Sequence, residues 1–146
     1  MRKYRTLRPE LLAGKVVIDI MNYWAPTDGV IPEFEETVPS SLAIQRFLSE
    51  AKLVRTLNHL GYHEFEDNAL QAGHADRRAV AVAGADPTAR SVVAAMIDRL
   101  GFDPVDAGPL IAAHAFGPGT ALFGVALTRS EMAQSLRSGA TTHDAA

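Results

Sequence analysis

The sequence predicts an α/β fold, a Rossmann-like parallel sheet with flanking helices, on three observations. The first is the run KVVIDI, Lys15 to Ile20, apolar except for its lysine and Asp19. Val and Ile are stiff at χ1 and suit a pleated surface. A near-continuous apolar run is the pattern of a strand buried on both faces. The second is the alternation of such runs with helical patterns, which implies right-handed crossovers and parallel strands. The third is the arrival of polar and aromatic groups at Asn22-Tyr23-Trp24 and again at Asn58-His59. These lie at strand carboxyl ends, where open α/β sheets bind ligands.

Each element follows from local signals. Leu11 to Ala13 read as the end of a short helix with Gly14 just past it. The first strand is Lys15 to Ile20. Tyr23 to Pro39 carries Pro26, Pro32, Pro39 and Gly29 and is predicted as a long loop. Ser40 or Ser41 caps the next helix, whose stripe is Ile44, Phe47, Leu48 and Ala51. Lys52 to Leu57 is the second strand. Glu64 to Gln71 is a short helix stopped by Gly73, and His74 to Arg78 is a polar connection. Ala79 to Ala83 is the third strand. Asp86-Pro87 starts a helix with a capping acid and an N1 proline. Its predicted stripe is Val92, Val93, Met96, Ile97 and Leu100, and Gly101 ends it. Asp103 to Ala107 is the fourth strand, turned by Gly108-Pro109. Leu110 to Leu127 reads as a glycine-bearing loop that admits a short helix. Thr128-x-x-Glu131 is a capping box with Met132 and Leu136 on the following helix, stopped by Gly139. The domain is expected to span residues 1–140, with 141–146 a disordered tail.

Bulk properties bound the function. The chain has 146 residues, 47% apolar and 21% charged, enough for one domain with a real core. A net charge of −3 gives no electrostatic case for nucleic acid or an anionic membrane. Cysteine is absent, which excludes disulfides and thiolate chemistry and fits a cytoplasmic location. No apolar run approaches the roughly 20 residues of a membrane span. The basic start, with Arg2, Lys3, Arg5 and Arg8, lacks the apolar region of a secretory signal and reads as a solvated face.

Four junctions carry a resemblance: GKVVIDIMN (Gly14–Asn22), KLVRTLN (Lys52–Asn58), AVAGAD (Ala81–Asp86) and LGFDPVDAGPL (Leu100–Leu110). In this order and spacing, over about Leu11 to Gly124, the chain resembles the NADP oxidoreductases dependent on coenzyme F-420, a deazaflavin, and is similar to STEAP reductase domains. The resemblance implies hydride transfer between NADP(H) and coenzyme F-420. It places Asn22 and Asn58 at the coenzyme rings and Gly108, Pro109 and Leu110 near the deazaflavin. Tyr23 and Trp24, in the loop after Asn22, join them as candidate ring-stacking residues on their own chemistry. No catalytic side chain is expected, since hydride transfer between two cofactors needs no protein base, and no metal is expected.

The resemblance also implies a gap. A full domain of this kind opens with a strand and a G-x-G-x-x-G turn that lets the backbone approach a pyrophosphate. No such turn occurs here; Gly84 and Gly117-x-Gly119 lack its spacing. The chain therefore reads as the C-terminal half of the domain, a truncated NADP-binding-type unit with the first βαβ half missing, weak or inactive alone. The alternative is a non-catalytic dimerisation or complementation module, with a homo-oligomer or a second chain as partner. Further departures are Arg55-Thr56-Leu57, Tyr23 and His59, where the family favours other residues.

Individual residues have competing readings. Asn22 and Asn58 either hold polar ring edges or close strand-end turns. Asp19 reads as a buried carboxylate bonded to backbone N–H groups, ahead of a raised-pKa base. Tyr23, Trp24 and Phe34 either stack on a ring or plug the sheet. His59 and His63 are four apart, but Gly61 lies between them and no third ligand is well spaced, which argues against a metal pair. His74 and His114 read as surface or loop residues.

Overall fold

The computed structural model describes residues 2–35 and 39–141. The predicted tail beyond Thr141 lies outside the described residues, as does part of the predicted loop before Pro39. Four strands form the sheet: β1 (Val16–Asp19), β2 (Lys52–Thr56), β3 (Ala79–Gly84) and β4 (Asp103–Gly108), in spatial order β1-β2-β3-β4. The helices, in chain order, are α1 (Ala25–Asp28), α2 (Ser40–Phe47), α3 (Glu64–Asp67), α4 (Pro87–Arg99) and α5 (Arg129–Thr141). Leu110–Phe116 is a 3-10 helix, as are three shorter segments, Arg2–Thr6, Pro9–Leu11 and Pro32–Phe34. The α/β class and its Rossmann-like layering follow the sequence reading.

The sheet is mixed rather than parallel. β1 and β2 are parallel, as are β3 and β4, but β2 and β3 run antiparallel, with Arg55 opposite Ala83. The cause lies between β2 and β3. A parallel return needs a crossover of a dozen or more residues, usually a full helix. Here the segment from residue 57 to 78 holds only the four-residue α3, half the predicted helix.

Strand β3 shows why two layers form. Its six residues are all buried. Ala79, Ala81 and Ala83 face the 3-10 helix and α5, packing with Ala113, Phe116 and Met132. Val80 and Val82 face α4, packing with Val93, Ile97 and Phe102. The small alanine face lets the 3-10 segment lie close to the sheet. Over β1 and β2 the same layer is continued by α2, with Ile44, Leu48, Leu53 and Phe34 in one cluster.

Strand β1 departs from its expected double burial. It is an edge strand: Val16 is 38% exposed, and Ile20, just beyond it, 52%. The doubly covered strands are β2 and β3.

Capping is partly as predicted. Asp86 accepts the Ala89 N–H at 2.7 Å. Thr128 and Glu131 exchange the capping-box bonds, the Thr128 N–H donating to the carboxylate at 2.8 Å. Helix α2 has no side-chain cap: Pro39 stands at that position. The Ser41 hydroxyl instead donates to Asp19. Helix α4 buries Ala89, Val93 and Ile97, whereas Val92 and Leu100 are exposed, so its buried stripe is narrower than predicted. Helix α5 runs through Gly139 to Thr141 rather than stopping there.

Candidate functional site

The carboxyl ends of β1 and β2 meet in a polar cluster built around Arg55. Arg55 is 3% exposed. Its guanidinium lies 3.0 Å from Asp19 Oδ2, donates to Asn22 Oδ1 at 3.0 Å, and also donates to the Met21 carbonyl. Burial pushes the guanidinium below its ordinary pKa, and Asp19 opposes that shift. Asp19 accepts further bonds from the Met21 N–H at 3.0 Å and the Ser41 hydroxyl at 2.8 Å. The sequence identified Asp19 as a backbone-bonded buried carboxylate, and the Met21 bond is of that kind. It named Arg55 as a departure from the family, not as the partner of Asp19.

The two predicted asparagines are joined to each other. Asn22 Nδ2 donates to the Asn58 carbonyl at 2.7 Å. Asn58 Nδ2 donates to the Phe116 carbonyl at 3.0 Å. These bonds tie the ends of β1 and β2 to the end of the 3-10 helix. Asn58 is 3% exposed, and its Oδ1 is buried without a partner among the described residues.

His59 follows Asn58 into the interior. It is 1% exposed, its ring 5.1 Å from that of Phe116. Its Nε2 accepts the Ala81 N–H at 3.3 Å. Burial, then the nearby Arg78 and Arg55 charges, hold its pKa down to about 3, so it is neutral at physiological pH. His63 lies apart from it, its ring 3.7 Å from Tyr62. Among the described residues no group of three or more His, Cys, Asp or Glu side chains is placed to hold a metal ion.

In front of this cluster a crevice of about 180 Å³ opens between α2 and the 3-10 helix. Tyr23, Phe34, Ser40, Arg55, His114 and Thr120 contribute to its walls. Tyr23 and Phe34 are paired with ring centres 5.4 Å apart. Phe34 is buried, which is the plug geometry. The Tyr23 hydroxyl receives the Ile31 N–H at 3.1 Å and donates to Glu35. Trp24 is half-exposed and turned away, its ring 6.0 Å from Phe123.

The turn Gly108-Pro109-Leu110 does not join the asparagines. Because β3 reverses direction, β4 ends away from the carboxyl ends of β1 and β2. The chain comes back over the sheet as the 3-10 helix, and Phe116 rather than Gly108 reaches Asn58. Leu110 is buried with Leu53 and Phe34, and Gly108 adopts φ +88°. Pro109 lines a second, larger cavity of about 710 Å³ between the 3-10 helix and α5. His114 and Thr120 border both cavities. Sequence reasoning named Arg55 as a departure from the family but not as the centre of the cluster, although it stood in plain view as a charge inside an apolar strand run. Its flanks Val54 and Thr56, both buried, were the available signal.

No family profile matches the chain, and no curated protein matches it. Solved structures do. An F-420-dependent NADP-reductase candidate from Arthrobacter sp. FB24 is 34% identical over 73% of this chain, with a TM-score of 0.60, and the match covers 49% of that protein. A hypothetical protein from Sinorhizobium meliloti is 25% identical over 79% of this chain, with a TM-score of 0.65 and 55% of that protein covered. The chain thus spans about half the length of the solved structures it matches, and it has an F-420-dependent NADP-reductase-like fold.

Proposed function

We propose that the chain serves an oxidoreductase that moves a hydride between NADP(H) and coenzyme F-420, with the 180 Å³ crevice as the place for a ring edge. One observation carries this: the ends of β1 and β2 and the 3-10 helix converge on a crevice whose walls set Arg55, Tyr23, Ser40, His114 and Thr120 beside Phe34, Pro39 and Ala113. At about 180 Å³ it is smaller than the roughly 300–1,000 Å³ of a site that encloses a whole ligand, and its size suits one edge of a ring. Similarity to the Arthrobacter protein supports the coenzyme pair. The coenzymes supply the hydride chemistry when bound. The chain's part is to position and to exclude water: Arg55 and Asp19 fix the Asn22 amide, and Phe34 and Tyr23 close one wall.

The residues present fit a ring end and not a phosphate end. No G-x-G-x-x-G turn is in the sequence. The N-terminus of α4 is occupied by Asp86, whose carboxylate accepts the Ala89 N–H and would repel a phosphate there. The 146-residue chain alone is therefore expected to be impaired in NADP(H) binding. A cytoplasmic place belongs to the same proposal; among the described residues no helix is long and apolar enough to cross a membrane.

Equilibrium dialysis of the purified chain against oxidised F-420 tests the ring-end reading. Saturable binding that Tyr23→Ala weakens about tenfold or more supports it. No saturation, or binding indifferent to Tyr23→Ala in a folded variant, removes it. The second reading, a dimerisation or complementation module without catalysis, is favoured by the open edge of β1.

A further inference from the structure

The two edges of the sheet are treated differently. β4 is blunted in several ways. Pro104 has no N–H to offer, and its carbonyl accepts from Arg129 at 2.9 Å. A register shift interrupts the β3–β4 ladder at Val82/Ala83. Asp103 and Asp106 put charges on the strand, paired with Arg77 and Arg90. These are the devices by which natural edge strands avoid pairing with other chains. Of these β1 carries one, a charge: Asp19, turned inward to Arg55. It contains no proline, its register with β2 is unbroken, and no strand among the described residues pairs with its other edge.

The register fixes what that edge presents. The Lys52 N–H donates to the Lys15 carbonyl at 2.8 Å, with Val16 opposite Lys52. Peptide groups alternate along a strand, so the Lys15 carbonyl and the peptide groups of Val17 turn to β2, while Val16 and Ile18 turn theirs outward. The side chains of Val16 and Ile18 share one face, and Ile20, just past the end of the strand, is the next position in that alternation. Ile18 packs beside the cluster of Val54, Val80 and Val82, which is the α4 side. Helix α4 lies over β2, β3 and β4, leaving Val16 and Ile20 open at 38% and 52% exposure.

We infer that this edge pairs with β1 of a second copy of the chain, antiparallel about a two-fold axis at Ile18. The stripe Val16-x-Ile18-x-Ile20 is the reason for choosing a second copy. It is β-branched and apolar at all three positions and so reads alike in both directions. In this register Ile18 faces Ile18 of the other copy and Val16 faces Ile20. No like charges are set opposite one another, and Asp19 keeps its bonds to Arg55 and Ser41 on the other face. A two-fold contact demands this self-complementarity, and apolar β-branched cross-strand pairs stabilise it. The product is one sheet across two copies, with the bare faces of both β1 strands side by side between the two α4 helices.

Sedimentation equilibrium of the purified chain over a concentration series tests the pairing. The expected result is twice the mass of the chain. V16K sets a charge against Ile20 of the other copy and is expected to raise the dissociation constant about tenfold or more. The double variant V16K/I20E places opposite charges in both cross-strand positions and is expected to restore dimerisation. Far-UV circular dichroism checks that each variant is folded. If V16K is not, I20K and the double variant V16E/I20K take its place. A monomer at every concentration, a dimer indifferent to the single charge, or a folded double variant that fails to recover would each overturn the inference. None of these outcomes depends on coenzyme binding.

Discussion

Arg55 is the residue on which the strand-end cluster depends. It and Asp19 are both more than nine-tenths buried, and each would be left as an uncompensated charge without the other. Removing one partner of such a pair costs about 3–5 kcal/mol. Arg55→Ala is therefore expected to lower unfolding stability by that amount in urea titration. The double variant Arg55→Met/Asp19→Leu, which removes both charges, is expected to recover most of it. His59 makes a second prediction at this scale. Its folded pKa of about 3 lies below the ordinary value of 6.5, so protonation opposes folding. The stability it preserves is complete above pH 6.5 and is lost as pH falls toward 3. Between pH 7 and pH 5 the native chain should lose about 2 kcal/mol more than His59→Gln. Equal losses in both proteins would show that His59 is not held neutral. Neither partner of Arg55 was legible in the sequence, because Asp19 and Asn22 lie more than thirty positions away and no periodicity links them. Asn22 and Asn58 were legible as a strand-end pair, since each closes a strand that its own residues specify. That they bond to each other was not.

Among elements, those with a local cause matched the sequence best. The four strands fall within a residue or two of their predicted limits. Helices α4 and α5 begin where an acid or a Thr-x-x-Glu signature says they should. Helix α2 is the instructive exception: its serines look like caps, but Ser41 is drawn to Asp19 and Pro39 takes the capping position. Asp86→Ala should therefore cost about 1 kcal/mol, a normal capping loss, whereas Ser40→Ala should cost little. Thermal unfolding of the two variants separates them, and equal losses would contradict the assignment. Strand direction was the larger miss. Hydrophobic alternation is the same read forwards or backwards, so nothing in β3 itself declares that it runs against β2. The short, glycine- and histidine-rich stretch before it was the one signal against a parallel crossover. That reversal also moved Gly108-Pro109-Leu110 away from the asparagines. At Gly84 the antiparallel pair comes so close that an added Cβ would lie 2.8 Å from the Leu53 carbonyl oxygen. Gly84→Ala should accordingly lose about 1–3 kcal/mol in the same unfolding measurement.

At the scale of the whole molecule, the chain is a four-stranded α/β unit that matches about half of longer solved structures. Its fold class was readable because burial, small residues and turn signals agree across most of the length. Its working state was less readable, since it depends on what meets the edge of β1 and on where a phosphate would be held. KVVIDI looked like a strand buried on both sides; in this chain it is an edge with an uncovered apolar face. The central claim is that this chain carries a ring-end crevice and no phosphate cradle. Isothermal titration of the purified chain with NADPH tests it most directly. The account predicts weak binding, with a dissociation constant of about a millimolar or above. A dissociation constant in the micromolar range would contradict it.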